Sequence, residues 1–245
     1  MQKLLQEIDA LQAEIRTLRP FSEHQLKLIR EYYRIGLTYS SNALEGNTLT
    51  ESETKIVLEN GITIGGKPLR DHLEVMGHAK AYDFVHTLMN QQDFDEADLK
   101  KVHALFYATI DADQAGKYRT EKVILTGSKY PLPGPSQLPA LIQRFFSELH
   151  THTQHPVIKS AWVHLRLVLI HPFVDGNGRT SRLLMNLILL QHDYSVAVIP
   201  PVVRQTYIDF LERAHEDPAP FYGFIAERVR ETQKDFLRLF DPIYE

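Results

Sequence analysis

Residues 171–182, HPFVDGNGRTSR, gather within one short segment the side chains of a reaction centre. The segment lies between two apolar runs of helical period, which predicts a tight loop that opens a helix. Gly176 and Gly178 permit backbone conformations that point successive N–H groups into one concavity, and a helix N-terminus favours an anion there. Arg179 and Arg182 are three residues apart and therefore share a helix face beside that concavity. This pattern predicts a polyphosphate-binding site.

His171 and Asp175 lie in the same segment and supply the other groups that a transfer reaction needs. The reference pKa of histidine is near neutrality, so His171 can accept a hydroxyl proton under physiological conditions. The carboxylate of Asp175 can hold Mg²⁺, which takes one or two protein oxygens together with phosphate oxygens. The residues alone therefore predict nucleotidyl or phosphoryl transfer from a nucleotide, with a histidine as the base.

The same segment resembles the Fic motif, His-x-Phe-x-Asp/Glu-Gly-Asn-Gly-Arg-x-x-Arg, and fills every defining position. The resemblance implies an all-α Fic fold and the transfer of AMP from ATP to a Ser, Thr or Tyr hydroxyl of a protein. It implies that His171 is the general base and that Asp175 is the ligand of Mg²⁺ or Mn²⁺. The residues implied to hold the phosphates of ATP are Gly176, Asn177, Gly178, Arg179 and, at the terminal phosphate, Arg182.

Residues 41–46, SNALEG, resemble the inhibitory signature of this family, Ser/Thr-x-x-x-Glu-Gly/Asn. Ser41 and Glu45 are four residues apart and share one helix face. Because the signature precedes the Fic motif, the chain resembles the class with an N-terminal inhibitory helix, here about residues 22–46. The resemblance implies that Glu45 pairs with Arg182, withdraws it from the γ-phosphate of ATP and so makes the enzyme autoinhibited.

The stretch of residues 116–135 departs from the helical pattern. It contains an apolar, β-branched run followed by a Gly-Ser turn and three prolines, which predicts one short β-hairpin. Residues 118–127 resemble the flap of the family, Gly-x-Tyr-Arg-x-x-x-Val, so we expect a flap at about residues 117–131 that pairs its main chain with a target segment. A purely structural hairpin is the alternative. The expected flap contacts are Ile124, Leu125, Thr126 and Gly127.

The resemblance says less about the adenine ring. The family places a Tyr and then an Asn on the helix after the motif; Tyr207 matches the first, whereas the second position holds His215. Both are predicted adenine contacts. His103 and His164 fall within apolar helical runs and are predicted to be core residues.

The rest of the sequence has a helical pattern nearly throughout. Ser22 with Gln25 and Thr50 with Glu53 form capping-box signatures at two helix starts. A leucine and isoleucine stripe over residues 4–18 predicts an amphipathic helix that packs on its own domain or on a second copy. The predicted helices cover about residues 4–18, 22–45, 50–60, 71–88, 96–107, 138 onward, 158–170, 178–191, 204–215 and 220–240. We therefore expect an N-terminal helix at residues 1–21 and one Fic domain at residues 22–240.

Composition limits the partners and the compartment. The 245 residues include 27 basic and 31 acidic side chains, and no dense Lys/Arg run occurs, so nucleic acid is not an expected partner. The chain has no cysteine, which excludes disulfides and thiolate zinc sites. We find neither a signal-peptide pattern nor an apolar run of about 18 residues, which predicts a cytoplasmic protein without a membrane span.

The expected partners are ATP, a target protein of unknown identity, the chain itself through self-AMPylation, and a second copy in a homodimer. Removal of AMP from a modified protein is an alternative activity, in which Glu45 orients an attacking water. An inactive binding module with a Fic fold is a third hypothesis, although the side chains of the motif are intact. Phosphotransferase relatives replace the second motif glycine with a bulkier residue, whereas this chain retains Gly178.

Overall fold

The computed structural model describes residues 1–239, and these residues form an all-α fold, as predicted. The end of the last helix and of the domain, predicted at residue 240, lies outside the described residues. Within the described part of the chain, none of the helices has the length and apolar composition needed to cross a membrane. The helices are α1 Gln2–Thr17, α2 Glu23–Ala43, α3 Glu51–Asn60, α4 Leu69–Leu88, α5 Glu96–Tyr107, α6 Leu138–Thr151, α7 Pro156–Ile170, α8 Asn177–Gln191, α9 Arg204–Arg213 and α10 Ala219–Leu239, with 3₁₀ turns at Pro135–Gln137 and Pro201–Val203.

Local sequence signals set several helix starts. The hydroxyls of Ser22 and Thr50 accept the backbone N–H of the residue three positions later, and the side chains of Gln25 and Glu53 return the bond. Both predicted capping boxes are therefore confirmed. Each such cap stabilises its helix by about 0.5–2 kcal/mol, which fixes where α2 and α3 begin.

Helix α8 is the centre of the fold. Its apolar residues between positions 183 and 189 are buried and join two core clusters, one containing α4, α5 and α6 and one containing α1, α9 and α10. Helix α7 is antiparallel to α8 across the short loop of residues 171–176 and makes the most extensive contact with it. A helix buried on every side cannot shift without opening the core. The N-terminus of α8, where the motif lies, is therefore held rigidly.

The N-terminal helix packs on its own chain. Ile8 and Ile15 of α1 are buried, and the side-chain amide of Gln233 on α10 donates to the carbonyl of Ile8 at 3.1 Å and to Gln12 Oε1 at 3.0 Å. Of the two predictions for the apolar stripe, packing on the same domain is the one that the structure shows. The homodimer stays a prediction.

The prediction of a β-hairpin is wrong. Residues 117–134 contain turns, bends and segments without regular structure, and no strand occurs among residues 1–239. A turn closed by the 3.3 Å bond from Ser128 N–H to the Leu125 carbonyl is present, but no ladder of hydrogen bonds continues from it. The prolines at 131, 133 and 135 lack the N–H donors that a ladder would require on that side.

Candidate active site

The loop between α7 and α8 is closed by one side chain. Asn177 Oδ1 accepts the backbone N–H of Phe173, and Asn177 Nδ2 donates to the carbonyl of the same residue, both at 2.9 Å. Gly176 adopts a φ of 76°, and a Cβ there would lie 2.8 Å from the ring of Phe106. The side chain of Asn177 is thus committed to the loop, so that only its backbone can reach a phosphate.

The second motif glycine provides space for a carboxylate. A Cβ at Gly178 would collide with Glu45 Oε1 and would lie 2.9 Å from Arg182 Nη1. The carboxylate of Glu45 therefore rests on the first turn of α8, where the backbone N–H groups lack intrahelical partners and attract negative charge. The inhibitory residue predicted from the sequence lies at the predicted anion site.

Arg182 is held by groups from two other helices. Its Nη2 donates to Glu45 Oε1 at 2.7 Å and to the carbonyl of Ser41 at 2.9 Å, and its Nε donates to the Ser41 hydroxyl at 2.9 Å. Nη1 donates to the Tyr207 hydroxyl at 3.2 Å. The Arg182 side chain is only 5% exposed, so water reaches these contacts mainly from the side of Glu45, whose side chain is 37% exposed. The predicted pairing of Glu45 with Arg182 is present, and the contacts of Ser41 with Arg182 are an addition that the sequence did not predict.

The charge of Glu45 is set by the surrounding arginines. Burial alone would raise the pKa of the Glu45 carboxyl, but the charges of Arg182, Arg179 and Arg204 together hold that pKa below its ordinary value. Arg204 also donates its Nε to the carbonyl of Leu44 at 2.7 Å and thereby fixes the end of α2. Glu45 is therefore an anion at neutral pH, in the place where a phosphate would be expected.

Arg179 occupies a different environment from Arg182. Its Nη1 forms a 3.1 Å ion pair with Glu74 Oε1, its Nη2 lies 3.5 Å from Asp175 Oδ1, and its guanidinium stacks 4.2 Å from the centre of the Phe106 ring. The side chain is buried. The role of Arg179 at the phosphates stays a prediction, and its observed contacts fix the motif to α4 and α5.

Asp175 is the candidate metal ligand. Its Oδ1 accepts the backbone N–H of Gly176 at 2.6 Å, and its Oδ2 accepts Arg70 Nη2 at 3.0 Å. Within the described residues, no group of three or more His, Cys, Asp or Glu side chains could hold a metal ion. A single, partly exposed carboxylate fits Mg²⁺, which completes its coordination shell with water and phosphate oxygens.

His171 follows the last residue of α7, and its surroundings favour a neutral imidazole. It has a φ of 51°, a left-handed conformation uncommon outside glycine, and its N–H bonds the carbonyl of Leu167 at 2.9 Å. Nδ1 lies 3.3 Å from the Val168 carbonyl, which can only accept, so this contact assigns the proton to Nδ1 and leaves Nε2 free to take one. The pKa of His171 is lowered to about 4, chiefly by burial and also by the charge of Arg119, against the opposing effect of the Val168 carbonyl.

Several supporting residues could not be assigned from the motif. Arg119 donates to the carbonyls of His171 at 2.8 Å and Pro133 at 2.6 Å, so the predicted flap is tied at its base to the loop between α7 and α8. His103 lies 3.1 Å from the Asp175 carbonyl and stacks on the Phe173 ring with a centroid separation of 3.8 Å. His103 is buried as predicted, but it also supports the loop. Arg119 belongs to the quoted flap pattern, which is the signal that could have identified it.

The two predicted adenine contacts occupy different places. Tyr207 is buried, and its hydroxyl lies between Arg182 and His164 Nε2, 3.0 Å from the latter. His164 is a buried core residue, as predicted. The ring of His215 stacks on Tyr130 with a centroid separation of 3.9 Å, so it contacts the predicted flap. The adenine roles of Tyr207 and His215 stay predictions, as do the contacts of Ile124, Leu125, Thr126 and Gly127 with a target.

The fold and sequence of this chain are similar to those of known proteins. Residues 93–189 match the model of the Fic/DOC family. The protein adenylyltransferase Fic of Drosophila sechellia is 39% identical over 199 residues, which cover 79% of this chain and 40% of that protein. The protein of the same name from Drosophila persimilis is 34% identical over 236 residues, covering 94% of this chain and 46% of that protein. The chain thus spans less than half the length of these curated relatives.

A solved structure extends the similarity over the whole described fold. Fic-1 from C. elegans superimposes with a TM-score of 0.88 at 30% identity, covering 98% of this chain and 72% of that chain. The predicted Fic fold is therefore confirmed. On this likeness, together with the matched motif segment, the chain belongs to the Fic/DOC family.

Proposed function

We propose that this chain is a protein adenylyltransferase, which transfers AMP from ATP to a protein hydroxyl, and that Glu45 holds it in an inactive state. The observation that carries the proposal is the carboxylate of Glu45, bound to Arg182 at 2.7 Å above Gly178 at the N-terminus of α8. An anion bound by these groups marks where a phosphate would lie. The names of the curated relatives support AMP transfer rather than AMP removal or an inactive binding module.

The residues of the loop would divide the reaction as follows. His171 Nε2 removes the proton of the target hydroxyl while the hydroxyl oxygen bonds to the α-phosphorus and pyrophosphate leaves. The N–H groups at the start of α8 bind phosphate oxygens, and Arg182 pairs with the terminal phosphate after Glu45 has withdrawn. Asp175 would hold Mg²⁺ or Mn²⁺, which supplies charge neutralisation at the phosphates when bound.

Autoinhibition follows from the competition for Arg182. A guanidinium that already donates to Glu45 and to Ser41 has no free pair of N–H groups with which to grip a phosphate in a bidentate manner. The carboxylate above Gly178 also repels a phosphate electrostatically. ATP that enters this state is held without its full set of contacts and is misplaced for attack.

Labelled nucleotides test the proposed reaction. Incubated with cell lysate and Mg²⁺, the Glu45→Gly protein should incorporate more label from α-labelled ATP than the Glu45→Gly/His171→Ala protein does, and the two should not differ with γ-labelled ATP, which lysate kinases also use. A His171-dependent increase in the γ-label would indicate phosphoryl transfer and would contradict the proposal, as would no His171-dependent increase in either label. Mass spectrometry of the labelled proteins, including the chain itself, then identifies the target. The homodimer and the cytoplasmic location stay predictions.

A further inference from the structure

The two oxygens of Asp175 have partners of different kinds. Oδ1 faces the loop, where it accepts the Gly176 N–H at 2.6 Å and lies 3.5 Å from the buried Arg179. Oδ2 accepts Arg70 Nη2 at 3.0 Å, and the Arg70 side chain is 58% exposed. Only the Oδ2 partner can leave the carboxylate without disturbing buried groups. Oδ2 is therefore the oxygen that a cation from solvent can reach.

Arg70 is attached at a second point. Its Nε donates to Glu74 Oε1 at 3.1 Å, and the same oxygen pairs with Arg179 Nη1 at 3.1 Å. Glu74 is buried, one helical turn after Arg70 on α4, and its Oε2 accepts the Asn47 side chain at 3.1 Å. The Nε contact can hold the base of the guanidinium while its Nη2 end leaves Asp175. Arg70 can therefore stay bound to Glu74 of α4 through Nε while Nη2 moves away from Asp175.

We propose that Arg70 occupies Asp175 Oδ2 in the nucleotide-free chain and has to leave this oxygen when a divalent cation binds together with ATP. Arg70 is then a positioning residue, which acts through Asp175 and sets how much Mg²⁺ the site requires. This inference rests on the proposed function, because it assumes that Asp175 holds the cation of a metal–nucleotide complex. It adds to Glu45 a second control, on the other carboxylate beside the N-terminus of α8.

The direction of the effect follows from charge. A guanidinium and a divalent cation cannot both approach one carboxylate oxygen without repulsion, so Arg70 opposes the cation. Because Arg70 is mostly exposed, water screens the pair, and exposed pairs of this kind change an equilibrium by about two- to fivefold. Removal of the guanidinium should therefore tighten metal-dependent binding of ATP by that factor, while binding of ATP without metal should be unchanged.

Calorimetric titration with ATP tests this inference apart from catalysis. All proteins carry Glu45→Gly, which frees Arg182, and His171→Ala, which prevents turnover. We expect Arg70→Gln to lower the Kd of ATP about two- to fivefold in Mg²⁺ and to leave the Kd in EDTA unchanged. Adding Asp175→Asn should abolish the difference between the proteins with and without Arg70→Gln, since the competed oxygen is then no longer anionic.

The matched control is Lys67→Gln, which removes a positive charge three residues away whose Nζ bonds the Thr48 carbonyl at 2.6 Å. Lys67→Gln should change neither the Kd of ATP in Mg²⁺ nor the Kd in EDTA. If Lys67→Gln lowered the Kd in Mg²⁺ as much as Arg70→Gln does, the effect would come from the total charge of the region, and the inference would be overturned. A higher Kd of Arg70→Gln in EDTA would show that Arg70 binds phosphate directly and would also overturn it, as would two unchanged values. Absence of ATP binding in every variant would overturn both proposals. ATP binding here, together with no AMP transfer by the Glu45→Gly protein that retains His171, would contradict only the proposed function.

Discussion

Two carboxylates lie beside the N-terminus of α8, and each pairs with an arginine. The two arginines differ in how far their side chains are exposed to water. The inner pair, Glu45 with Arg182, has an arginine that is 5% exposed, whereas the outer pair, Asp175 with Arg70, has one that is 58% exposed. Their N–O distances are similar, 2.7 and 3.0 Å. The carboxylates are similarly exposed, 37% for Glu45 and 43% for Asp175, so the pairs differ mainly in how far water reaches the arginine. That difference determines how strongly each pair can oppose a nucleotide.

The two ion pairs therefore contribute different free energies. Charge-assisted hydrogen bonds contribute about 1.5–3 kcal/mol where water is excluded, whereas exposed ion pairs contribute about 0.2–1 kcal/mol. Arg182 also donates to Ser41 and Tyr207, so that its orientation is fixed before any ligand arrives. Under the proposed function, the inner pair sets whether the enzyme is active, and the outer pair adjusts how much metal it needs. Three further experiments test this distinction.

The largest effect is expected at His171, the proposed base. Both ion pairs are proposed to act on the reaction that this base carries out. In the Glu45→Gly background, His171→Ala should lower the rate of AMP transfer by about 10²–10⁴-fold, the usual contribution of a general base. The measurement is incorporation of α-labelled AMP into protein. ATP binding should survive in the same variant, which separates loss of the base from loss of the site. Transfer within threefold of the parent would remove His171 from the mechanism.

The next largest effect is expected from breaking the inner pair. Glu45→Gly should raise AMP transfer at least about tenfold, since Glu45 is 37% exposed and the lower figure for a charge-assisted bond, about 1.5 kcal/mol, applies. Initial rates with α-labelled ATP and Mg²⁺ measure the change.

Glu45→Gln is the matched control for that experiment, since it keeps the size of the side chain and removes its charge. It should activate less than Glu45→Gly, because the amide still occupies the space above Gly178. Equal activity of wild type and Glu45→Gly would contradict autoinhibition, although membership of the family would be unaffected. Equal activation by Glu45→Gly and Glu45→Gln would show that the charge of Glu45 alone accounts for the inhibition, and not its occupation of the space above Gly178.

The difference between the two pairs also explains how far the sequence could be interpreted. Capping boxes at Ser22 and Thr50 involve neighbours three residues apart, so their helix starts could be predicted. The inner pair joins residues 137 apart in the chain, yet it was predicted because both ends belong to recognisable motifs. The outer pair joins residues 105 apart, and Arg70 belongs to no motif, so only the folded chain reveals it.

The flap shows a limit of another kind. Its β-branched residues and turn predicted a hairpin, but strands form only where a partner accepts and donates along their edges. Here the base of the segment is fixed by the Arg119 side chain to the carbonyls of His171 and Pro133 instead. Local propensity therefore predicted a strand pair where the chain forms turns and irregular segments, because propensity does not specify a partner. The target segment that the flap is proposed to bind would be such a partner.

The smallest expected effect is the pH dependence of the activated enzyme. Burial lowers the pKa of His171 to about 4, so its imidazole is neutral and able to accept a proton well below neutrality. A histidine with the ordinary value of 6.5 would lose about three quarters of its neutral form between pH 7.5 and 6.0 and slow the reaction about fourfold. The rate of Glu45→Gly at saturating Mg²⁺ and ATP should instead change less than about twofold over this range.

Glu45 also has a lowered pKa and stays ionised between pH 7.5 and 6.0, so the ratio of the Glu45→Gly rate to the wild-type rate should be constant as well. A fourfold fall in the Glu45→Gly rate would mean that His171 is more solvated than its buried position implies, and a falling ratio would mean that acid already releases the inner pair.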